Sequence, residues 1–209
     1  MILLYVVILI FDLIGVWLDT PWRPYSKSLL MPALAIHVII NTHRSGLPLL
    51  LFVSLFFAWL GDVFLLSDHY FLFGLGSFLV MQIIYAAEFM KDWKPHMPSA
   101  IIAGFLLFGS AVAMIIFLSA SISELFIPVV IYVIAIATMV FVAQARDRSL
   151  PGYSMVLVGS LFFLISDAAL AVGLFTDIDE GVLTVMLTYG IAQLLITEGI
   201  LSKISFSHS

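Results

Sequence analysis

Long apolar runs, separated only by short polar or Pro/Gly-containing breaks, follow one another along the whole chain. Hydrophobic residues make up 63% of the sequence and charged residues only 10%, which is too little charge to cover a soluble domain. Runs of about 20 apolar residues match the hydrocarbon thickness of a bilayer. The pattern therefore predicts an all-α integral membrane protein, folded as a single polytopic helix bundle over residues 1–209.

The breaks between the apolar runs predict eight transmembrane helices. These span residues 2–18, 26–41, 47–66, 70–90, 98–118, 125–144, 153–175 and 182–203. The second helix is short and contains Pro32, so we expect a kink there, or a span that is completed with help from neighbouring helices. No basic residue precedes the first run, which favours a retained first helix over a signal peptide.

The distribution of Lys and Arg predicts the orientation in the membrane. With eight helices, one side of the membrane carries Arg44, Lys91, Lys94, Arg146, Arg148 and Lys203. The other side carries only Arg23 and Lys27, together with the acidic loop residues Asp177, Asp179 and Glu180. Short cytoplasmic loops are enriched in Lys and Arg. Both termini should therefore be cytoplasmic.

Several classes of chemistry lack the residues that they need. The chain has no cysteine, which excludes disulfides, thiolate metal sites and cysteine nucleophiles. It has no His/carboxylate cluster with zinc-ligand spacing, nucleophile elbow or phosphate-cradling loop, so we expect no metal or organic cofactor. A net charge of −5 without a basic cluster argues against a nucleic-acid partner. Carboxylates, amides and tyrosines remain, and these groups suit acid–base catalysis or proton coupling.

Ionisable residues inside the apolar runs are the candidates for function, because a charge at mid-helix costs about 2.5–3.5 kcal/mol. They are Asp12, Lys27, His37, Asp62, Glu88, Asp167 and Glu198. Asp62 and Asp167 are the main candidates, lying about 6 Å and about 12 Å inside the outer ends of their predicted helices. Lys27, on the same outer side, could be a counter-ion for either aspartate or an anchor for a lipid phosphate.

A faint internal repeat connects the two halves of the sequence. Helix three reads Leu-Phe-Phe-Ala-Trp-Leu-Gly before Asp62, and helix seven reads Leu-Phe-Phe-Leu-Ile-Ser before Asp167. Helices four and eight each carry a Gln and a Tyr nearer mid-membrane, namely Gln82 and Tyr85, and Tyr189 and Gln193. These four side chains could form interhelical hydrogen bonds or line a cavity. The similarity is either a parallel repeat, which would favour a site between the halves, or chance likeness among apolar helices.

Four segments resemble the YhhN family of membrane proteins. They are residues 27–32 (KSLLMP), 59–66 (WLGDVFLL), 165–171 (ISDAALA) and 189–196 (YGIAQLLI). The resemblance covers most of the chain from Lys27 to Leu201, and the Gly-Asp and Ser-Asp pairs are its most specific parts. Ser28 follows Lys27 where the family commonly has Pro, and Gln82 stands where it often has His. The second departure would alter activity or substrate if that position takes part in chemistry.

The resemblance implies a lysoplasmalogenase, which cleaves the vinyl ether of a lysoplasmalogen into a fatty aldehyde and a glycerophospho-alcohol. Such a reaction needs one carboxylic acid to protonate the β-carbon and a second carboxylate to stabilise the cation and activate water. We expect Asp62 and Asp167 to be this pair, with Asp167 as the acid. The residues expected to hold the lysophospholipid or water are Lys27, Gln82, Tyr85, Tyr189 and Gln193.

Two other classes of function fit the same residues. A small proton-coupled transporter would also need buried carboxylates, and a lipid-binding protein without turnover would need an apolar cavity. In every case the expected partner is membrane lipid, and the expected location is a bacterial inner membrane. The sequence leaves the oligomeric state open.

Overall fold

A computed structural model describes residues 1–42, 46–176, 178 and 181–207. Within these residues the chain forms eight α-helices and no strand, which confirms the predicted all-α bundle. The helices are α1 Ile2–Trp17, α2 Arg23–Thr42, α3 Leu49–Phe64, α4 Phe71–Met90, α5 Met97–Leu118, α6 Phe126–Gln144, α7 Tyr153–Phe175 and α8 Val182–Ser207. The orientation prediction also used Arg44, Asp177, Asp179 and Glu180, which lie outside the described residues.

Helix length divides the bundle into two parts. Among the described residues, the five helices α4 to α8 are long and apolar enough to cross a membrane. Helices α1 and α3 are apolar but contain only 16 residues each, about 24 Å at the usual rise per residue. Helix α3 ends two residues earlier than predicted, because a 3₁₀ turn at Asp68–Tyr70 follows it. Asp62 is therefore about 3 Å from the end of its helix, and not about 6 Å.

Seven helices form a closed circuit of contacts, in the order α1, α2, α3, α4, α6, α7, α8 and back to α1. Helix α5 stands outside this circuit and packs chiefly on α6. Large apolar side chains such as Phe105 and Ile116 project from it with 81% and 68% of their surface exposed. We call the end of the bundle where α3 and α7 finish the outer end, and the opposite end the inner end.

Helix α2 is continuous through Pro32. Proline has no N–H to donate to the carbonyl four residues earlier, which belongs to Ser28. The indole Nε1 of Trp59 on α3 donates a hydrogen bond to that carbonyl oxygen at 3.1 Å. The contact satisfies the free backbone group and binds α2 to α3, next to Lys27 and Asp62.

Two glycines permit the close helix packing that positions the site. A Cβ at Gly61 on α3 would lie 2.7 Å from the ring of Phe78 on α4. A Cβ at Gly159 on α7 would lie 2.9 Å from the carbonyl oxygen of Ala192 on α8. Small residues allow such close approach in membrane bundles, so α3 pairs with α4 and α7 with α8.

A network of charges joins three segments at the inner end. Arg146, which follows α6, donates hydrogen bonds from Nε and Nη2 to Asp92 Oδ2 at 3.2 Å and 2.9 Å. Lys203 on α8 donates to Asp92 Oδ1 at 2.5 Å, and the Arg146 guanidinium lies over the Phe89 ring. Both partners of the central pair are buried, with 2% and 8% of their side chains exposed. The network therefore fixes the α4–α5 and α6–α7 connections to α8.

We expect Asp92→Ala to destabilise the protein by about 3–5 kcal/mol, because it leaves a buried guanidinium without its counter-ion. Thermal unfolding of the purified protein in detergent measures this change. Asp147→Ala is the matched control, since its partner Lys94 is 68% exposed and such pairs contribute little. Hydrogen bonds from Lys94 and Ser149 lower the pKa of Asp147 to about 2, so Asp147 is ionised at neutral pH. Equal unfolding temperatures for the two variants would contradict the assignment.

Candidate functional site

Two cavities lie side by side in the outer half of the bundle. The first has a volume of about 280 Å³ and is lined by Arg23, Lys27, Asp62, Tyr189 and other residues; we call it the polar cavity. The second has a volume of about 320 Å³, lies between α4, α5, α6 and α7 and is almost wholly apolar; we call it the apolar cavity. Their shared lining consists of Leu65, Phe71, Phe78, Asp167, Leu170 and Leu174. Asp167 is the one shared residue with an ionisable side chain.

Asp62 in the polar cavity has partners that stabilise a negative charge. Its residue surface is 1% exposed. Tyr189 on α8 donates its hydroxyl to Oδ2 at 2.8 Å, and the Lys27 ammonium lies 3.8 Å from Oδ1. A neighbouring cation and a hydrogen-bond donor both favour the ionised carboxylate. Of the two roles that the sequence allowed for Lys27, the counter-ion for Asp62 is the one that its position supports.

The Tyr189 side chain is held in place by two other rings. Its centroid lies 5.9 Å from that of Phe78 on α4 and 5.8 Å from that of Phe163 on α7, with edge-to-face geometry at both. Such pairs add to the stability gained from burial alone. The hydroxyl is therefore aimed at Asp62 by packing that involves three helices.

Asp167 is bound in a different way. Tyr132 on α6 donates its hydroxyl to Oδ2 at 2.6 Å, and Gln82 on α4 donates Nε2 to the same oxygen at 3.2 Å. Among the described residues no side chain or backbone group bonds Oδ1, and no cation lies within ion-pair distance. Oδ1 is also not one of the unpartnered side-chain atoms that are fully enclosed in that part of the chain, so part of its surface is accessible. This oxygen therefore faces the space where the cavities meet.

Each aspartate accepts a hydrogen bond from a side chain in the other half of the chain. Asp62 on α3 is bonded from α8, and Asp167 on α7 is bonded from α4. The sequence had placed the two aspartates and these polar groups at similar positions in the two halves. The site thus lies between the halves, in the position that a repeat would favour.

The structure separates the other predicted site residues from the cavities. Tyr85 donates its hydroxyl to Gln193 Oε1 at 2.7 Å, and Gln193 contacts Met81 Sδ. Neither Tyr85 nor Gln193 lines either cavity. They form a buried polar contact between α4 and α8, the interhelical alternative that the sequence had left open.

Two residues of the site were not predicted from the sequence. Tyr132 is a single tyrosine in the apolar run of α6, and that isolation was its only signal. Arg23 lines the polar cavity, although the sequence suggested only an interfacial residue, and its Nε is buried without a partner in the described part of the chain.

Three other intramembrane ionisable residues contact neighbouring helices outside both cavities. Asp12 accepts a hydrogen bond from Ser26 at 2.7 Å. His37 and Glu198 are 2.6 Å apart and join α2 to α8. Glu88 pairs instead with Lys91, just past the end of its own helix.

The fold and the site define an integral membrane protein of the helix-bundle class, with one buried and one half-buried carboxylate between its halves. The model of the YhhN family matches residues 22–200 of the 209-residue chain. The chain belongs to the YhhN family, and the matched region contains every residue of both cavities. Comparisons with curated proteins and with solved structures give no match.

We expect Lys27→Met to destabilise the protein by about 3 kcal/mol, because Asp62 then stays buried without a cation. Adding Asp62→Asn to that variant should restore a large part of the loss, since no charge remains to be compensated. Chemical unfolding of the four proteins in detergent completes this double-mutant cycle. Lys91→Met is the control, because its ion pair with Glu88 is more than half exposed on the lysine side. Strictly additive effects of the two substitutions would contradict the pairing.

Proposed function

We propose that the protein is a membrane-embedded hydrolase that cleaves the vinyl ether of a single-chain phospholipid, as the lysoplasmalogenases of its family do. The observation that carries the proposal is the position of Asp167 where the polar and apolar cavities meet. A lysolipid has a charged head group and one hydrocarbon chain, with the reactive bond between them. Its two parts suit the two cavities, which would bring the bond to Asp167.

The polar cavity supplies cations for a phosphate group. Arg23 and Lys27 both line it, so a guanidinium and an ammonium group border this space. Guanidinium and ammonium groups are the usual side-chain partners of phosphate in proteins. Lys27 would then contact both Asp62 and the head group, which combines the two roles suggested by the sequence.

The surroundings of the two aspartates support different roles for them. Asp62 has a cation and a hydroxyl donor at its oxygens, which supports its role as the base. Asp167 has only neutral donors, both on Oδ2. Its other oxygen, Oδ1, can carry a proton and present it to the substrate, because a carboxyl group in an apolar setting favours its neutral form.

The reaction balances with one water and no other reactant. Asp167 Oδ1–H protonates the β-carbon of the vinyl ether. This gives an oxocarbenium ion, whose positive charge is shared between the other vinyl carbon and the ether oxygen. Asp62 accepts a proton from water while the water oxygen bonds to the cationic carbon, and a hemiacetal results. The hemiacetal C–O bond to glycerol then breaks: the leaving oxygen takes the proton from Asp62, and the hydroxyl proton returns to Asp167. The products are an aldehyde and an alcohol.

Gln82 stands where the family often has His, and this difference limits how protons can reach Asp167 in this scheme. The amide donates one hydrogen bond to Asp167, but unlike a histidine it cannot take up or release a proton near neutral pH. Gln82 therefore orients the acid and does not relay protons to it. Reprotonation of Asp167 has to come from the hemiacetal or from water in the cavity.

Both Asp62→Asn and Asp167→Asn should lower turnover by about 10²-fold or more, the usual contribution of a general acid or base. The measurement is aldehyde release from a lysoplasmalogen by the purified protein in detergent. Asp12→Asn is the matched control, since this buried carboxylate lies outside both cavities and its amide keeps the acceptor for Ser26. It should retain full turnover.

Two results would contradict the proposed function. One is the absence of aldehyde release by folded parent protein. The other is full turnover by both aspartate variants. Flux of a solute across proteoliposomes in the first case would indicate a transporter instead.

We expect Tyr132→Phe to reduce kcat about tenfold while KM stays near that of the parent. The hydroxyl stabilises the carboxylate that forms when Asp167 gives up its proton, and a hydrogen bond to a charged group contributes about 1.5–3 kcal/mol. The phenol contacts the acid and keeps its shape apart from the hydroxyl. Steady-state kinetics separates the two constants. Tyr153→Phe is the control, because its hydroxyl bonds the Gln144 carbonyl at the inner end. A rise in KM at constant kcat would instead assign Tyr132 to substrate binding.

A further inference from the structure

Helices α5 and α7 leave a slot between them on the outside of the bundle. They meet near the outer end, where Met114 on α5 and Ala171 and Phe175 on α7 pack in one apolar cluster. Further inward α5 packs on α6, where the ring centroids of Phe108 and Phe141 are 6.1 Å apart. Over its whole length α5 has little contact with α7.

The apolar cavity reaches the surface of the protein through this slot. Ser110 and Ile165 line the cavity and are also exposed; Ile165 has 52% of its surface accessible. The cavity is open on one side, and these exposed side chains form its rim. Ala168 on α7 leaves the slot without a large side chain.

The opening lies at the depth of the hydrocarbon core. Ser110 is eight residues from the outer end of α5, and Ile165 is ten residues from the outer end of α7. At the helical rise these positions are about 12 Å and about 15 Å deep, near the middle of a hydrocarbon layer of about 30 Å. What lies against the slot is therefore lipid tail and not water.

We propose that the slot between α5 and α7 is a lateral opening through which one hydrocarbon chain passes between the bilayer core and the apolar cavity. The occupant is set by the chemistry of the walls: apart from Ser110, Tyr132 and Asp167, all lining residues are apolar, and the hydroxyls of Ser110 and Tyr132 already bond protein oxygens. The inference rests on the proposed function only in naming the chain as that of the substrate.

Each product would leave the protein by its own route. The fatty aldehyde is apolar and would return through the slot to the bilayer, where its chain loses no hydrocarbon contact. The glycerophospho-alcohol would leave from the polar cavity, whose lining includes Ser67 and Asp68 next to the outer end of α3. A chain that enters from the side also needs no passage through water.

The test uses a single-chain alkylphosphocholine with a photoreactive diazirine near its terminal methyl, added to vesicles that contain the protein. Peptide mass spectrometry then locates the labelled residues. In the parent protein we expect labels on cavity residues of α5 and α6, such as Met114, Val133 and Ile136. Ser110→Trp should abolish most of this labelling, because the indole ring would fill the opening between α5 and α7.

Val112→Trp is the matched control, because Val112 is 56% exposed on the same helix and does not line the cavity. It should leave cavity labelling unchanged, and equal unfolding temperatures show that both variants fold. Labels confined to outward residues such as Phe105 and Ile116, or equal cavity labelling in the two variants, would overturn the lateral opening. Because labelling needs no turnover, labelled cavity residues without aldehyde release would reject the proposed function and retain the opening.

Discussion

A carboxylate in the interior of a membrane bundle must find hydrogen-bond partners, and this constraint governs the arrangement around Asp62 and Asp167. Each aspartate takes a partner from the opposite half of the chain, Tyr189 for one and Gln82 for the other. These bonds hold the α3–α4 pair against the α7–α8 pair. The polar cavity occupies the space that remains between the pairs, so the contacts that stabilise the bundle also shape its site.

The sequence was sufficient to predict the helices and the two aspartates. Apolar runs of the right length have few alternatives in a bilayer, and an acidic residue inside such a run is conspicuous against 10% charge. The helix ends were harder. Helix α2 begins at Arg23, three residues before the predicted start, and α8 continues four residues beyond the predicted end. Polar residues at helix ends extend a helix into the interface, where hydropathy gives no boundary.

The partners of each aspartate could not be read from the sequence, because they depend on how each helix is rotated against its neighbours. Gln82 and Tyr85 are three residues apart on α4, yet one contacts Asp167 and the other contacts Gln193 away from both cavities. Tyr132 looks like any aromatic residue of a membrane helix until α6 is packed against α4 and α7. The outlying position of α5 also follows from packing, since its apolar run resembles those of the helices in the circuit.

The charged network around Arg146 makes the inner end of the molecule more rigid than the outer end. At the inner end, ionic and aromatic contacts hold three chain segments together. At the outer end, the helices enclose two cavities and fewer contacts oppose their separation. Local opening is easiest where buried contacts are sparse. Thermal motion should therefore separate the helices more at the outer end than at the inner end. The width of the outer half would vary while the inner loops keep their positions.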